Sequence, residues 1–279
     1  MLSKIKMPAA LVLVLVLFLT AACKKNNDND PQPAGNADST NNGNSGNDGA
    51  ALADSGKVIL HLHNYLEEEE VDGYGLTYTT GDGRKISLTR AQLYISDIQL
   101  VKSDGSLYDM TGVIVLKRQE ELGYTLGKVP AGDYKGVRFH VGLDGDANRL
   151  APEARADGML NHPEMWLGTT AQPDGYVFLN LQGSIDTTAD ASGDAADMQP
   201  FVYRIGTDAH YREVQMPEKA FRVEKDGTVY VHTKCDYTRL FSGIQLGNSA
   251  NLKVETAADN SSALAHKLAD NIPSMFTYE

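Results

Sequence analysis

The chain has 279 residues, a formal net charge of −12 and an apolar fraction of 42%. That charge argues against non-specific nucleic-acid binding and makes an anionic membrane surface repulsive, so a cationic partner or a metal ion is the electrostatically favoured company.

Residues 1 to 23, MLSKIKMPAALVLVLVLFLTAAC, set Lys4 and Lys6 before an apolar run from Ala9 to Leu19 and then small residues ending at Cys23. This is the pattern of a secretory signal peptide, with an apolar core too short to span a bilayer as a finished helix. The small residues before the cysteine also resemble a bacterial lipobox, with Thr20 where leucine is more usual. On that reading Cys23 is lipidated and the protein is a lipoprotein of the cell envelope, anchored in a membrane by lipid. No aspartate directly follows Cys23, which points to the outer membrane. With Cys23 lipidated, Cys235 has no partner and a disulfide framework is excluded. Cys235 then reads either as a small buried hydrophobe or as a soft metal ligand paired with His232.

Residues 24 to 56 are almost entirely Asn, Asp, Gly, Ser and Pro, a composition that cannot bury enough apolar surface to offset the entropy of ordering. They read as a disordered tether that would reach roughly 30 Å. The length of residues 57 to 279 fits one large all-β domain as readily as two smaller ones, and they are read as one β-sandwich domain.

Within that domain KVILHLHNYL, LYISDIQLV, VIVLKR, YKGVRFHVGL, GYVFLNLQGSI and FVYRIG read as short strands separated by turn signals, the pattern of an antiparallel β-sandwich with long loops. LVKSDGSLY and FRVEKDGTVYVH read as hairpins, because Asp-Gly supplies the positive φ angles of a tight turn. In DNSSALAHKLADNIPSMF, Leu264 and Leu268 share one helical face, Asn260 or Ser261 is placed to cap, and Pro273 follows. These features predict a short C-terminal helix. Residues 143 to 175 and the acidic 186 to 200 are long irregular stretches, and the first holds Trp166, the only tryptophan.

On a strand, alternate residues face one side, so His61 and His63 of HLH lie together as a two-imidazole grip for copper, zinc, iron or nickel, or else as an ordinary polar strand face. His140 joins them if its strand adjoins theirs. His162 and Met165 flank Trp166, which reads as a core plug or as part of a site. Asp144, Asp146 and Asn148 imitate a calcium loop, but Arg149 stands in place of its glycine and Arg155 in place of its glutamate. No nucleophile elbow, P-loop or H-E-x-x-H motif occurs, so no enzyme is expected.

ISLTRAQLYISDIQL with its Tyr-x-Ser core, VPAGDYKGVRFHVGLDGDANR and MLNHPEMWLGTTAQPDGYVFLNLQGSID follow one another in the chain. In wording and order they resemble the methanobactin-associated copper-binding protein family, the MbnP-like domain, over roughly residues 57 to 275. The most specific pieces are PAGDYKGVRFHVGLD and MW…GYVFLNLQG. The resemblance implies an exported β-sandwich that binds copper through histidines. In some members a tryptophan is oxidised to kynurenine by a dihaem peroxidase partner and then helps to ligate Cu(I), and Trp166 stands in the matching loop. Two departures accompany the match. Leu167 and Gly168 follow Trp166 where relatives place a histidine close by, and FVYRIGTDAH carries Arg204 in the strand and a histidine only at His210.

The expectation is therefore a non-catalytic lipoprotein for copper acquisition or buffering. Its ligands come from His61, His63, His140, His162 and His210, with Trp166 or its oxidised product as a further candidate. The alternative is a metal-free surface adhesion module that recognises a glycan or protein through its loops and tyrosines.

Overall fold

The computed structural model describes residues 54–71, 73–118, 121–155, 158–168 and 175–279; the leader, Cys23 and nearly all of the tether lie outside them. In chain order the first strands are β1 (Ser55–Leu66), β2 (Glu69–Glu70), β3 (Thr77–Thr79), β4 (Lys85–Lys102), β5 (Leu107–Asp109), β6 (Val115–Lys117), β7 (Gly123–Pro130) and β8 (Gly132–Val141). They continue with β9 (Val177–Asp186), β10 (Met198–Gly206), β11 (Arg212–Gln215), β12 (Phe221–Val223), β13 (Thr228–Asp236), β14 (Lys253–Val254) and β15 (Phe276–Tyr278). The helices are α1 (Gly145–Arg149) and α2 (Ala263–Asn271).

The expected all-β sandwich is what forms, from two sheets of unequal size. The smaller is ordered β15-β13-β1-β2, with β7 also on β1. The larger is ordered β11-β8-β4-β9-β10-β14, with β12 on β8 and β3, β5 and β6 on β4. Most ladders are antiparallel, but β1 runs parallel to β13 and β10 parallel to β14, so both sheets are mixed. A parallel pair needs a long crossover rather than a turn, and the β1–β13 pair closes almost the whole domain between its partners.

Each long strand alternates. On β1, Val58, Leu60, Leu62 and Leu66 are buried while His61, His63 and Tyr65 face outward. Burial of each such aliphatic side chain contributes about 1.5–3 kcal/mol, and their partners across the sandwich include Leu93 and Ile95 of β4. Asn64 is the polar exception on the inward side of β1. Its Oδ1 accepts from Lys117 Nζ at 2.5 Å and from the Tyr237 hydroxyl at 3.0 Å, so the buried amide is satisfied.

A second, smaller cluster covers the outer face of the larger sheet. Tyr94 of β4 and Phe178 of β9 pack there against Leu143, Leu160 and Met165 from the long 143–175 segment and against Tyr176 just after it, with Trp166 alongside. The described part of that segment is thus a folded cover for a sheet face.

Two local expectations came out differently. The Asp226-Gly227 turn does take a positive φ, +56° at Asp226. Its arms do not pair with each other, however: β12 joins β8 in the larger sheet and β13 joins β1 in the smaller. The turn is a corner between sheets. The KSDGS turn does make the expected hairpin, with Leu100 opposite Tyr108. The C-terminal helix α2 is capped by Ser262, whose side chain accepts from Ala265 N. Asn260 instead accepts from Gly206 N and donates to Arg204 O, stitching the helix approach to β10. No helix among the described residues is long and apolar enough to cross a membrane.

Candidate metal centre

The outer face of the smaller sheet gathers three imidazoles. His61 and His63 lie two residues apart on β1, and the parallel register sets His232 of β13 directly beside His61. The inward parity of Val231, Thr233 and Cys235 obliges Tyr230, His232 and Lys234 to face out. Thr233 Oγ1 donates to His61 O at 3.0 Å and locks the two strands at this point. On the other flank Gly123 of β7 pairs with His61, and a Cβ there would come within 3.5 Å of His61 Cδ2.

The ligand atoms of the three histidines lie within 4.8 Å of one another. His63 Nε2 is 2.8 Å from His61 Nδ1, and His61 Nδ1 is 3.2 Å from His232 Nδ1. An ion with bonds of about 2.0 Å to imidazole nitrogens requires donor separations of about 3.3–3.5 Å. The two pairs that include His61 are within about 0.5 Å of that spacing, and side-chain rotation of His63 and His232 toward each other by about 1 Å would bring the widest pair to it.

Two carboxylates frame the set. His63 Nδ1 donates to Glu70 Oε1 at 2.5 Å, which leaves Nε2 as the lone-pair nitrogen turned toward His61. A carboxylate that fixes the tautomer and orientation of a ligating imidazole is a common outer-shell arrangement. Glu279, brought in by β15, lies 3.8 Å from His63 Nε2 and 3.6 Å from His232 Nδ1. Burial lowers the pKa of His61 below its ordinary 6.5, and His63 and His232 lower it further, against the opposing pull of Glu279 and Glu70. Near neutral pH His61 is therefore the neutral imidazole, the form that binds metal. The site is open to solvent: the side chain of His232 is 46% exposed.

The other candidate residues lie elsewhere. His140 is on β8, which pairs with β4, β11 and β12 and not with β1, so its strand does not adjoin that of His61. Its ring stacks on Tyr211 at 4.4 Å. His162 Nδ1 donates to its neighbour Glu164 at 3.0 Å. His210 is fully buried, with Nδ1 donating to Gly206 O at 2.6 Å and Nε2 3.0 Å from His266 Nδ1. Trp166 meets Tyr176 edge to face at 4.9 Å on the outer face of the larger sheet, with the main core between it and the three histidines. Arg204 donates to Trp166 O at 2.8 Å and belongs to that loop, away from the imidazole set. Cys235 is buried on the inward side of β13, opposite in parity to His232, and so packs as a small hydrophobe.

His232 was the member that strand pattern alone did not connect to HLH. Its outward parity in TVYVHTKC was readable; its pairing with β1, across 171 positions of sequence, was not. Glu70 lies in the acidic run Glu67–Glu70, and only the β1–β2 return brings it under His63.

An all-β sandwich carrying a tri-imidazole set on one sheet face is a protein with a candidate metal centre. The sequence matches the MbnP family model over residues 55–260, and the chain belongs to the MbnP family. It is similar to the solved structure of MbnP from Methylosinus trichosporium, at 15% identity, covering 67% of this chain and 78% of that one with a TM-score of 0.46. No curated protein matches it.

Proposed function

We propose that the protein binds copper at His61, His63 and His232, and that it serves copper acquisition or buffering without catalysis. The convergence of three imidazoles within 4.8 Å on one sheet face carries this reading. The donor chemistry supports it. Neutral nitrogen donors suit copper, which stands at the top of the divalent affinity order, so a small histidine set suffices. Membership of the MbnP family points the same way. The three imidazoles supply the ligand atoms, Glu70 holds His63 in the competent tautomer, and the negative charge of Glu70 and Glu279 favours a cation beside them. The leader sequence supports an exported lipoprotein anchored through Cys23, which membrane retention of a Cys23→Ser variant tests by its loss.

The deciding measurement is metal content after loading with Cu(I) and desalting, beside a zinc control. Wild type should retain about one copper per chain, the stoichiometry of one three-ligand site. The double change His61→Ala with His63→Ala, and His232→Ala alone, should lose it, while His140→Ala and His162→Ala should keep it. Copper retained after all three histidines are replaced would place the site elsewhere.

A further inference from the structure

Glu279 Oε1 lies 3.8 Å from His63 Nε2, and Oε2 lies 3.6 Å from His232 Nδ1. We propose that Glu279 is a fourth ligand of the copper centre, and that its oxygen strengthens the hold on Cu(II) without strengthening the hold on Cu(I). The inference rests on copper binding at His61, His63 and His232, and adds to it a discrimination between oxidation states.

The first ground is how the carboxylate is placed. β15 runs antiparallel to β13 with Tyr278 opposite Thr233 and Thr277 opposite Lys234, and the next step of that register sets Glu279 opposite His232. Glu279 N donates to His232 O at 3.4 Å and fixes that step. His232 in turn lies beside His61 of β1. Directly opposed residues share a sheet face, so Glu279, His232 and His61 form one row across three strands, with His63 two residues along. Lys219 Nζ donates to the main-chain oxygen of Glu279 at 2.5 Å, which pins the backbone and leaves the side chain its charge.

The second ground is which nitrogens the carboxylate faces. Glu70 takes the Nδ1 hydrogen of His63, on the far side of that ring. Glu279 instead faces His63 Nε2 and His232 Nδ1, the two nitrogens that approach His61 Nδ1 at 2.8 and 3.2 Å. Its separations of 3.8 and 3.6 Å from them stand close to the spacing of about 3.3–3.5 Å between donors on one ion. Each oxygen addresses one nitrogen, so a turn of the carboxylate lets a single oxygen serve the ion that both nitrogens hold. Among the described residues the Glu279 side chain forms no ion pair with a lysine or arginine; the two imidazoles are its ionic partners.

The third ground is donor chemistry. Imidazole nitrogens with a carboxylate oxygen make the mixed set typical of tetragonal Cu(II), whereas soft sulfur donors select Cu(I). Cys235, the cysteine of β13, faces the core and supplies no sulfur to this face. At equal distance an anionic oxygen also attracts a doubly charged ion about twice as strongly as a singly charged one. Both effects favour Cu(II).

The test compares the full chain with its Glu279→Gln variant by competition against Cu(II) chelators and, without oxygen, Cu(I) chelators of known affinity. The substitution should weaken Cu(II) at least about tenfold, the lower end of what even an outer partner of a ligand contributes. Cu(I) affinity should change by less than about threefold, which also shows the fold intact. A tenfold loss in the oxidised state alone raises the reduction potential of the bound ion by about 59 mV. The electron paramagnetic resonance spectrum of bound Cu(II) should differ between the two proteins, as loss of an oxygen ligand requires. Unchanged Cu(II) affinity, equal weakening of both states or an unchanged spectrum would overturn the proposal while leaving the three-histidine site in place. Failure of the underlying reading looks different: wild type then holds neither ion, or copper stays after His61, His63 and His232 are all replaced, and the role of Glu279 falls with it.

Discussion

Replacing Lys117 by methionine should stabilise this protein at neutral pH, even though methionine cannot make the lysine's hydrogen bond. Lys117 sits on β6 with no exposed surface, and Nζ donates to Asn64 Oδ1 at 2.5 Å. Among the described residues no carboxylate pairs with it. Burial accordingly lowers its pKa from the ordinary 10.5 to about 8, with the Cys235 thiol opposing slightly. Below pH 8 the amine is charged in both states, and the folded state alone bears the cost of desolvating it. At about 1.4 kcal/mol for each tenfold change in proton affinity, the gap between 10.5 and about 8 amounts to about 3 kcal/mol. Between these two values the unfolded chain binds more protons than the folded one, so the penalty is relieved as pH rises from about 8 to 10.5. Methionine removes the charge and forfeits a hydrogen bond worth about 1 kcal/mol, while Asn64 Oδ1 keeps the Tyr237 hydroxyl. The net gain should be about 2 kcal/mol at pH 7 and should vanish near pH 10. Urea unfolding of both proteins at the two pH values measures it. A Lys117→Met protein that is less stable at pH 7, or whose advantage is the same at both pH values, would refute the reasoning.

Glu70→Gln should weaken copper binding by about 10- to 100-fold without unfolding the domain, since the carboxylate holds His63 and lends its negative charge to the cation; competition with a chromogenic chelator reads the change, and an unaltered affinity would remove Glu70 from the site. Trp166→Phe should leave copper affinity unchanged in the same assay, because the indole packs on Tyr176 and not on the imidazole set. Burial lowers the pKa of His210 below 6.5, His266 and Arg212 lower it further, and the Gly206 carbonyl opposes them. The folded state thus resists a proton that the unfolded chain accepts, and stability contributed above pH 6.5 is lost as pH falls below it. His210→Asn, which keeps a donor for Gly206 O, should flatten the fall in Tm between about pH 6.5 and 5; parallel curves for the two proteins would show that His210 is not the titrating group.

Much of the site was legible before any fold was known. HLH on an alternating strand required His61 and His63 to share a face, and the surrounding Leu60 and Leu62 required that face to be the outer one. The wording of PAGDYKGVRFHVGLD and of MW…GYVFLNLQG carried the family. The remaining candidates, His140, His162 and His210, were credible because histidine looks the same on any polar strand face or loop. Nothing local distinguishes the sheet on which each one lies.

What the sequence determined by itself is whatever depends on neighbours within a few residues: strand alternation, the KSDGS hairpin, the approximate extent of α2 and the paired outward imidazoles of β1. These follow from backbone sterics and from the period-2 burial pattern, which act over short range. Tertiary structure alone decided the third ligand. The parallel β1–β13 register brings His232 beside His61, the β1–β2 return brings Glu70 under His63, and β15 carries Glu279 to both. It also separated Trp166 from that set, because Leu160, Met165 and Trp166 pack on the other sheet. Pairings of this kind are fixed by how two sheets share one core, a sum over many buried contacts that no short stretch of the chain contains.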